Sequence, residues 1–153
     1  MAFYIVQHGL SLPKDQDPEK GLAPEGIRDV QRIAAVAQNY GVKVERIVHS
    51  GKKRALQTAE ILADVLKPGA GIEEIGGIKP LDDVAAFAPQ VDFQANTMVV
   101  GHLPFLERLT SLLISGQPEP IVFKLQNGGI LCLDQIENQD TPAIKWALMP
   151  AVG

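Results

Sequence analysis

Consecutive β-formers, Phe3-Tyr4-Ile5-Val6, open the chain and stop at Gln7-His8-Gly9. A run that does not alternate apolar with polar residues cannot leave one face in water, so it predicts a strand buried on both faces. Thr97-Met98-Val99-Val100 repeats the pattern and stops at Gly101-His102. Strands buried on both faces need helices above and below them.

The segments between supply those helices. Pro24 to Tyr40 reads as one. Pro24 and Glu25 suit a first turn, Ile27, Val30, Ile33, Ala34 and Ala37 recur at helical spacing, and Gly41 supplies a stop. Val44 to Val48 reads as the next strand. Ser50 is placed to cap a helix from Lys52 to Leu66 with an apolar face of Ala55, Thr58, Ala59, Leu62 and Leu66. Ile72 to Ile78 has room for a short strand and Leu81 to Phe87 for a short helix. Leu103 to Ser115 reads as a helix with Pro104 in its first turn. Three strand candidates follow: Ile121 to Leu125, Gly129 to Leu133 and Ala143 to Leu148. Asn138-Gln139-Asp140 falls in the last connection.

Strands alternating with helices predict βαβ units. The expected fold class is α/β, a three-layer α/β/α arrangement with a largely parallel sheet and an antiparallel edge. The 153 residues suffice for one compact domain spanning 1–153.

In such a sheet ligands bind beyond the carboxyl ends of the strands. His8, Ser50 and His102 each follow a predicted strand, so all point to one rim. Arg54 lies in the first turn of the second helix. A helix start, a guanidinium and imidazoles suit a phosphate or another oxyanion. A neutral imidazole can attack phosphorus, and a protonated one can donate to a phosphoryl oxygen.

Charge and composition close off other classes. The formal net charge is −4, which gives no electrostatic footprint for a duplex, so nucleic acid is not expected as a partner. A local cationic pocket remains compatible with that balance. Cys132 is the one cysteine, which rules out an internal disulfide and thiolate zinc clusters. No apolar stretch approaches a membrane span, and Met1 to Val6 does not read as a signal peptide, so a cytoplasmic setting is expected.

Several segments match a known pattern in order and spacing. Tyr4-Ile5-Val6-Gln7-His8-Gly9 resembles an Arg-His-Gly opening, and Leu22-Ala23-Pro24-Glu25-Gly26 a Leu-Thr-x-x-Gly helix entry. Ser50-Gly51-Lys52-Lys53-Arg54-Ala55-Leu56-Gln57-Thr58-Ala59 is similar to Ser-x-x-x-Arg-Ala-x-x-Thr-Ala, and Val99-Val100-Gly101-His102 to a second histidine motif. Together they resemble the histidine phosphatase superfamily, which includes the phosphoglycerate mutases. Leu103-Pro104 is similar to its short SixA-type phosphohistidine phosphatases.

The resemblance implies a phosphoglycerate-mutase-like fold and a hydrolase that works in two steps. His8 takes the phosphoryl group and water removes it. Arg54 and His102 complete the catalytic set, and Gln7, Gly9 and Ser50 border the substrate. No metal or cofactor is implied. The implied substrate class is phosphohistidine in a histidine-phosphotransfer protein.

One position departs from the pattern: Gln7 stands where the family has arginine. A neutral amide is a weaker phosphate donor than a guanidinium, and losing such a donor costs about 2–4 kcal/mol of transition-state stabilisation. One alternative follows, a non-catalytic phosphate- or phosphoprotein-binding module. A separate alternative is a phosphatase of small phosphorylated metabolites, against which the short middle region, Pro68 to Gln94, argues. Lys14, Lys52 and Lys53 are positioned in sequence to lend charge.

Asp82 and Asp83 are the candidate acids for a poor leaving group, beside a plainer reading as a helix cap and first-turn acid. Imidazole leaves more readily than an alkoxide, so a phosphoramidate makes less demand on them. His49 reads as a strand-end filler, Cys132 as core, Trp146 as a packing anchor, and Glu107 and Arg108 as helix surface.

Overall fold

Ala2–Gln7 form β1, and each of these residues is buried, as a non-alternating strand requires. The computed structural model describes residues 1–152. After β1 come α1 (Pro24–Asn39), β2 (Arg46–His49), α2 (Lys53–Leu66), β3 (Ile72–Glu74), α3 (Val84–Phe87), β4 (Thr97–Gly101), α4 (Phe105–Ser115), β5 (Ile130–Gln135) and β6 (Pro142–Leu148).

The strands lie in the order β3-β2-β4-β1-β5-β6. β1 to β4 pair in parallel, while β5 runs antiparallel to both β1 and β6. Alternate residues of the central strands feed two cores. Tyr4, Val6, Ile47, Met98 and Val100 pack with Val30, Ile33 and Leu62 of α1 and α2. Phe3, Ile5, Val48 and Val99 pack with Phe87, Phe105, Leu106 and Leu109 of α3 and α4. The result is the three-layer α/β/α arrangement, with helices burying both faces of the sheet.

β1 enters the sheet between β4 and β5. The chain then passes to β2 and β3 on one side and returns to lay β4 against β1. The neighbouring carboxyl ends of β1 and β4 therefore mark a switch in strand order, where an open α/β sheet leaves a crevice.

Gly26 shows how tightly α1 closes on that end. A Cβ at Gly26 would collide with the backbone of Leu10, just past His8. The helix start can approach the loop only because this residue has no side chain.

The structure corrects several expectations. Ile121 to Leu125 is not a strand. The N–H of Val122 donates to Ser111 Oγ at 3.1 Å, and that of Leu125 to the Glu107 carboxylate at 2.9 Å. Side chains of α4 thus take bonds that a neighbouring strand would have taken, and Glu107 is a structural acceptor rather than plain helix surface. Ser50 does not hold the N-cap of α2. Lys52 holds that position without a side-chain cap bond, and Ser50 lies two residues earlier, its Oγ 2.6 Å from His102 Nε2 and only a long 3.4 Å acceptor for the Lys52 N–H. Pro104 precedes α4 instead of entering its first turn. β2 starts at Arg46 and keeps His49. No helix among the described residues is long and apolar enough to cross a membrane.

Candidate active site

Strand register builds the site. Gln7 pairs with Gly101 across β1 and β4, so the next residues, His8 and His102, emerge side by side with ring centroids 5.1 Å apart. The His8 N–H donates to the Gly101 carbonyl at 3.0 Å, which extends the ladder by one bond. On the other flank His49 pairs with Val100, which brings Ser50 against His102. Ser50 Oγ lies 2.6 Å from His102 Nε2.

His8 Nδ1 lies 2.7 Å from the Gly9 carbonyl oxygen. A carbonyl oxygen only accepts, so Nδ1 carries the proton and Nε2 keeps its lone pair. Arg54 Nε donates to that Nε2 at 3.3 Å. Burial pushes the His8 imidazole down to about 4 from its ordinary 6.5, and Arg54 and Lys20 add to the fall against the Gly9 hydrogen bond. His102, 1% exposed, is pushed down to about 3 by burial first and then by His8, Arg54 and Lys52. At about 4 and about 3, both rings are neutral at pH 7. His102 Nδ1 is buried without a hydrogen-bond partner among the described residues.

Arg54 sits in the first turn of α2, and Thr58 lies one turn further on the same face. The Thr58 hydroxyl donates to the Arg54 carbonyl at 2.8 Å and accepts the Gly9 N–H at 2.9 Å. One buried side chain thus locks the helix that carries Arg54 to the loop that carries His8. The amide of Gly9 is committed to Thr58 and its carbonyl to His8, so Gly9 orients the imidazole instead of offering its N–H to an anion. Backbone N–H groups at the open start of α2 lack helical acceptors and strengthen the positive potential around Arg54.

Gln7 is 8% exposed, and its Oε1 has no partner among the described residues. Its backbone carbonyl accepts from Gly128 at 2.8 Å, and Asn127 Nδ2 donates to the His8 carbonyl at 3.0 Å. The Gln126–Gly129 turn therefore braces the end of β1 from the β5 side. Thr58 and Asn127 were not singled out for the site from the sequence. Thr58 carried a signal in its i+4 spacing from Arg54; Asn127 carried only a turn signature.

Asp82 and Asp83 are tied up locally. Asp82 accepts the Lys79 N–H at 2.8 Å, and Asp83 caps α3 by accepting the Ala85 N–H at 2.9 Å. Neither bonds to His8, Arg54 or His102. His49 is buried beside the site, with Nδ1 accepting the Gly51 N–H at 3.1 Å. Cys132 lies in the core and Trp146 packs on Tyr4 at 5.9 Å, both away from the histidines.

The loop from Ser11 to Gly21 closes over the start of α2. Its ends meet through the Leu12 N–H and Gly21 carbonyl at 2.7 Å, and Asp17 pairs with Lys53 at 2.9 Å. A hollow of about 750 Å³ opens between loop and helix, with Lys14, Lys20, Lys52 and Arg54 on its walls. Another hollow, of about 660 Å³ and lined by Tyr4, Tyr40 and Trp146, lies at the start of β1 and shares no residue with the site.

Known proteins place this arrangement. No protein-family model matches the chain. The phosphohistidine phosphatase SixA of Escherichia coli K12 is 26% identical over 127 residues, covering 79% of this chain and 79% of that protein. The structure of the protein histidine phosphatase SixA complexed with tungstate superposes with a TM-score of 0.80 at 23% identity, covering 98% of this chain and 97% of that one. The alpha-ribazole phosphatase of Shigella flexneri superposes with a TM-score of 0.74 at 16% identity, over 100% and 98% of the two chains. At those identities the superpositions speak for the fold, and the E. coli relative and the ordered motifs around His8, Arg54 and His102 speak for descent. By fold and by sequence, the chain is SixA-like, similar to phosphatases of the histidine phosphatase superfamily.

Proposed function

We propose that this chain is a phosphatase acting through a covalent phosphohistidine on His8, with phosphohistidine in a phosphotransfer protein as its substrate class. The observation that carries the reading is the orientation of His8. Its Nδ1 proton is held by the Gly9 carbonyl at 2.7 Å, and its Nε2 lone pair faces Arg54 beside His102.

In the first step Nε2 bonds to phosphorus and the bond from phosphorus to the leaving nitrogen breaks. The departing imidazole takes up a proton from solvent water as it leaves. Arg54, His102 and the start of α2 hold the phosphoryl oxygens, where negative charge is carried through the transition state. The Gly9 carbonyl stabilises the positive charge that builds on the His8 ring, because Nδ1 keeps its proton. Water then attacks phosphorus, the bond to Nε2 breaks, and neutral His8 is restored. A bound phosphoryl dianion favours protonation of His102, opposing the burial that keeps the ring neutral when the site is empty.

The local bonds of Asp82 and Asp83 support a leaving group that needs no strong acid. That favours a phosphoramidate over a phosphate ester. The similarity to the SixA phosphohistidine phosphatase supports the same choice.

The test uses the purified chain with a phosphorylated histidine-phosphotransfer domain and with an aryl phosphate. Phosphate release, together with an acid-labile phosphoryl group on His8 that is missing from His8→Asn, is expected. No release from either substrate at high enzyme concentration overturns the reading. Gln7 keeps a second reading in view, a phosphate-binding module without turnover. Saturable phosphate binding with no labelled His8 is its signature.

A further inference from the structure

The hollow between the 11–21 loop and the start of α2 is wider than a phosphoryl group needs, and its charge is one-sided. Lys14, Lys20, Lys52, Lys53 and Arg54 line it, against a single lining carboxylate, Glu19. Lys53 is spent on the loop, pairing with Asp17 at 2.9 Å and Glu19 at 3.7 Å. Lys14, Lys20, Lys52 and Arg54 have no carboxylate within ion-pair distance among the described residues. They sit on a chain whose formal net charge is −4. Acidic groups are in excess overall and yet do not pair with these four.

We propose that this hollow is a docking cleft for an acidic stretch flanking the phosphorylated residue of a partner protein. The proposal rests on the phosphatase reading and adds to it what recognises the substrate outside the phosphoryl site.

Continuity comes from Arg54, which lines the hollow and also donates to His8 Nε2 at 3.3 Å. An anion that reaches Arg54 from the hollow is already at the nucleophile. The charges of Lys20 and Lys52 are felt at His8 and His102, where each disfavours the protonated ring.

The lining chooses the kind of partner. It has no aromatic ring and no amide or hydroxyl side chain with which to read a base or a sugar. Apart from Arg54 its cations are lysines, flexible point charges that follow carboxylates at varied spacing instead of gripping one group in a fixed fork. They come from two separate segments around about 750 Å³, a span suited to several residues of peptide. Asp17 holds the cleft in shape by accepting the Glu19 and Gly21 N–H groups, while Gln57 accepts that of Leu22 at 2.7 Å. The lysines are therefore presented on a loop fixed to α2 before any partner arrives.

Two fluorescein-labelled peptides test this on the full chain. Both carry a stable phosphonate analogue of phosphohistidine, one flanked by Asp and Glu and the other by Gly and Ser. Anisotropy reads binding without turnover, so it judges the cleft even if the phosphatase reading fails. The acidic peptide is expected to bind at least about tenfold tighter at low salt, with most of that advantage gone at about 0.3 M NaCl. Lys14→Glu combined with Lys20→Glu is expected to abolish or reverse the preference. Circular dichroism and the denaturation midpoint confirm that the variant is folded, and Lys14→Gln with Lys20→Gln gives a milder version of the same change. Equal affinity for the two peptides, or a preference that survives both double variants, overturns the proposal.

Discussion

Ser50 Oγ and His102 Nε2 are 2.6 Å apart, inside the protein, at the ends of two adjacent parallel strands. With the His102 ring pushed down to about 3, a single ring proton is present at pH 7, and this hydrogen bond governs where it resides. Ser50→Ala leaves a buried imidazole nitrogen without its partner, a loss of about 1–3 kcal/mol. We expect kcat/KM to fall by about 5- to 150-fold, which is what that energy amounts to in rate. Ser50→Thr should recover part of it. Ring 15N shifts of His102 distinguish this role from general destabilisation, since Ser50→Ala should redistribute the proton between the two nitrogens. Unchanged shifts and unchanged kcat/KM would remove Ser50 from the site.

The pH dependence of activity follows from His8. The nucleophile is competent when neutral, and burial pushes its pKa down to about 4. Activity should therefore persist well below pH 6.5, with an acid limb in kcat/KM near pH 4 once the substrate's own phosphate ionisation is divided out. Because His8 and His102 sit 5.1 Å apart, the limb belongs to the pair and not to one ring. Lys20→Ala removes a charge that disfavours protonation and should move the limb upward. A limb at the ordinary histidine position would show that the site is more hydrated than the packing around His8 indicates.

Much of this was legible in the sequence, for identifiable reasons. Phe3–Val6 and Thr97–Val100 are apolar without alternation, which specifies both burial and the need for covering helices. Their last residues then fix where His8 and His102 emerge. The pairing of β1 with β4, which puts those two rings together, was not legible, since it depends on a crossover that inserts β4 between β2 and β1. Ser50 was misread as a helix cap because its type and position suit that role equally well. Only the strand pairing shows that a buried ring competes for its hydroxyl. Ile121–Leu125 looks like a strand because it is apolar, but Ser111 and Glu107 of α4 take two of its N–H groups. That preference is set by distant residues.

Thr58 joins two segments that must keep register for His8 and Arg54 to meet. Thr58→Val keeps the shape, deletes the acceptor for Gly9 and the donor to Arg54, and leaves the Gly9 N–H unpaired in a buried place. We expect a stability loss of about 1–3 kcal/mol in urea denaturation. The accompanying fall in kcat should exceed that of a core variant of equal stability cost. Thr58→Ser should restore both.

Stability should fall as the solution is acidified through the histidine range. Both site histidines lie below their ordinary 6.5 in the folded chain, His8 at about 4 and His102 at about 3. Between about pH 6.5 and about pH 4 the unfolded chain binds protons on these rings that the folded chain refuses, so the unfolding free energy decreases as pH falls. The slope is at most about 1.4 kcal/mol per pH unit for each ring. Urea midpoints at about pH 7.5 and about pH 4.5 measure it, and His102→Asn should flatten the difference. An equal difference in wild type and variant would assign the acid sensitivity to other groups.

Gln7→Arg separates a weakened enzyme from a binding module. Gln7 ends β1 next to His8 with its side chain almost wholly enclosed and its Oε1 unpartnered among the described residues, so this position beside the nucleophile lacks charge and is imperfectly satisfied. A guanidinium introduced there brings a charged, forked donor to the phosphoryl oxygens, but it must shed water to fit and meets the field of Arg54. With phosphate bound, the dianion offsets that repulsion; without it, the variant holds a second buried cation near His8 and Arg54 with no counter-charge. The variant should therefore be less stable than wild type in phosphate-free buffer and should gain more from added phosphate, which thermal unfolding with and without phosphate will show. If the missing arginine is what limits turnover, kcat/KM should rise about 30- to 1000-fold, the inverse of losing one oxyanion donor. An unchanged rate in a folded variant that binds phosphate more tightly would mean that the chain already compensates, with Lys20 and Lys52, whose charges are felt at His8 and His102, as the sources. If neither protein ever forms the labelled His8 intermediate while both bind phosphate, the module reading stands and the hydrolytic one falls.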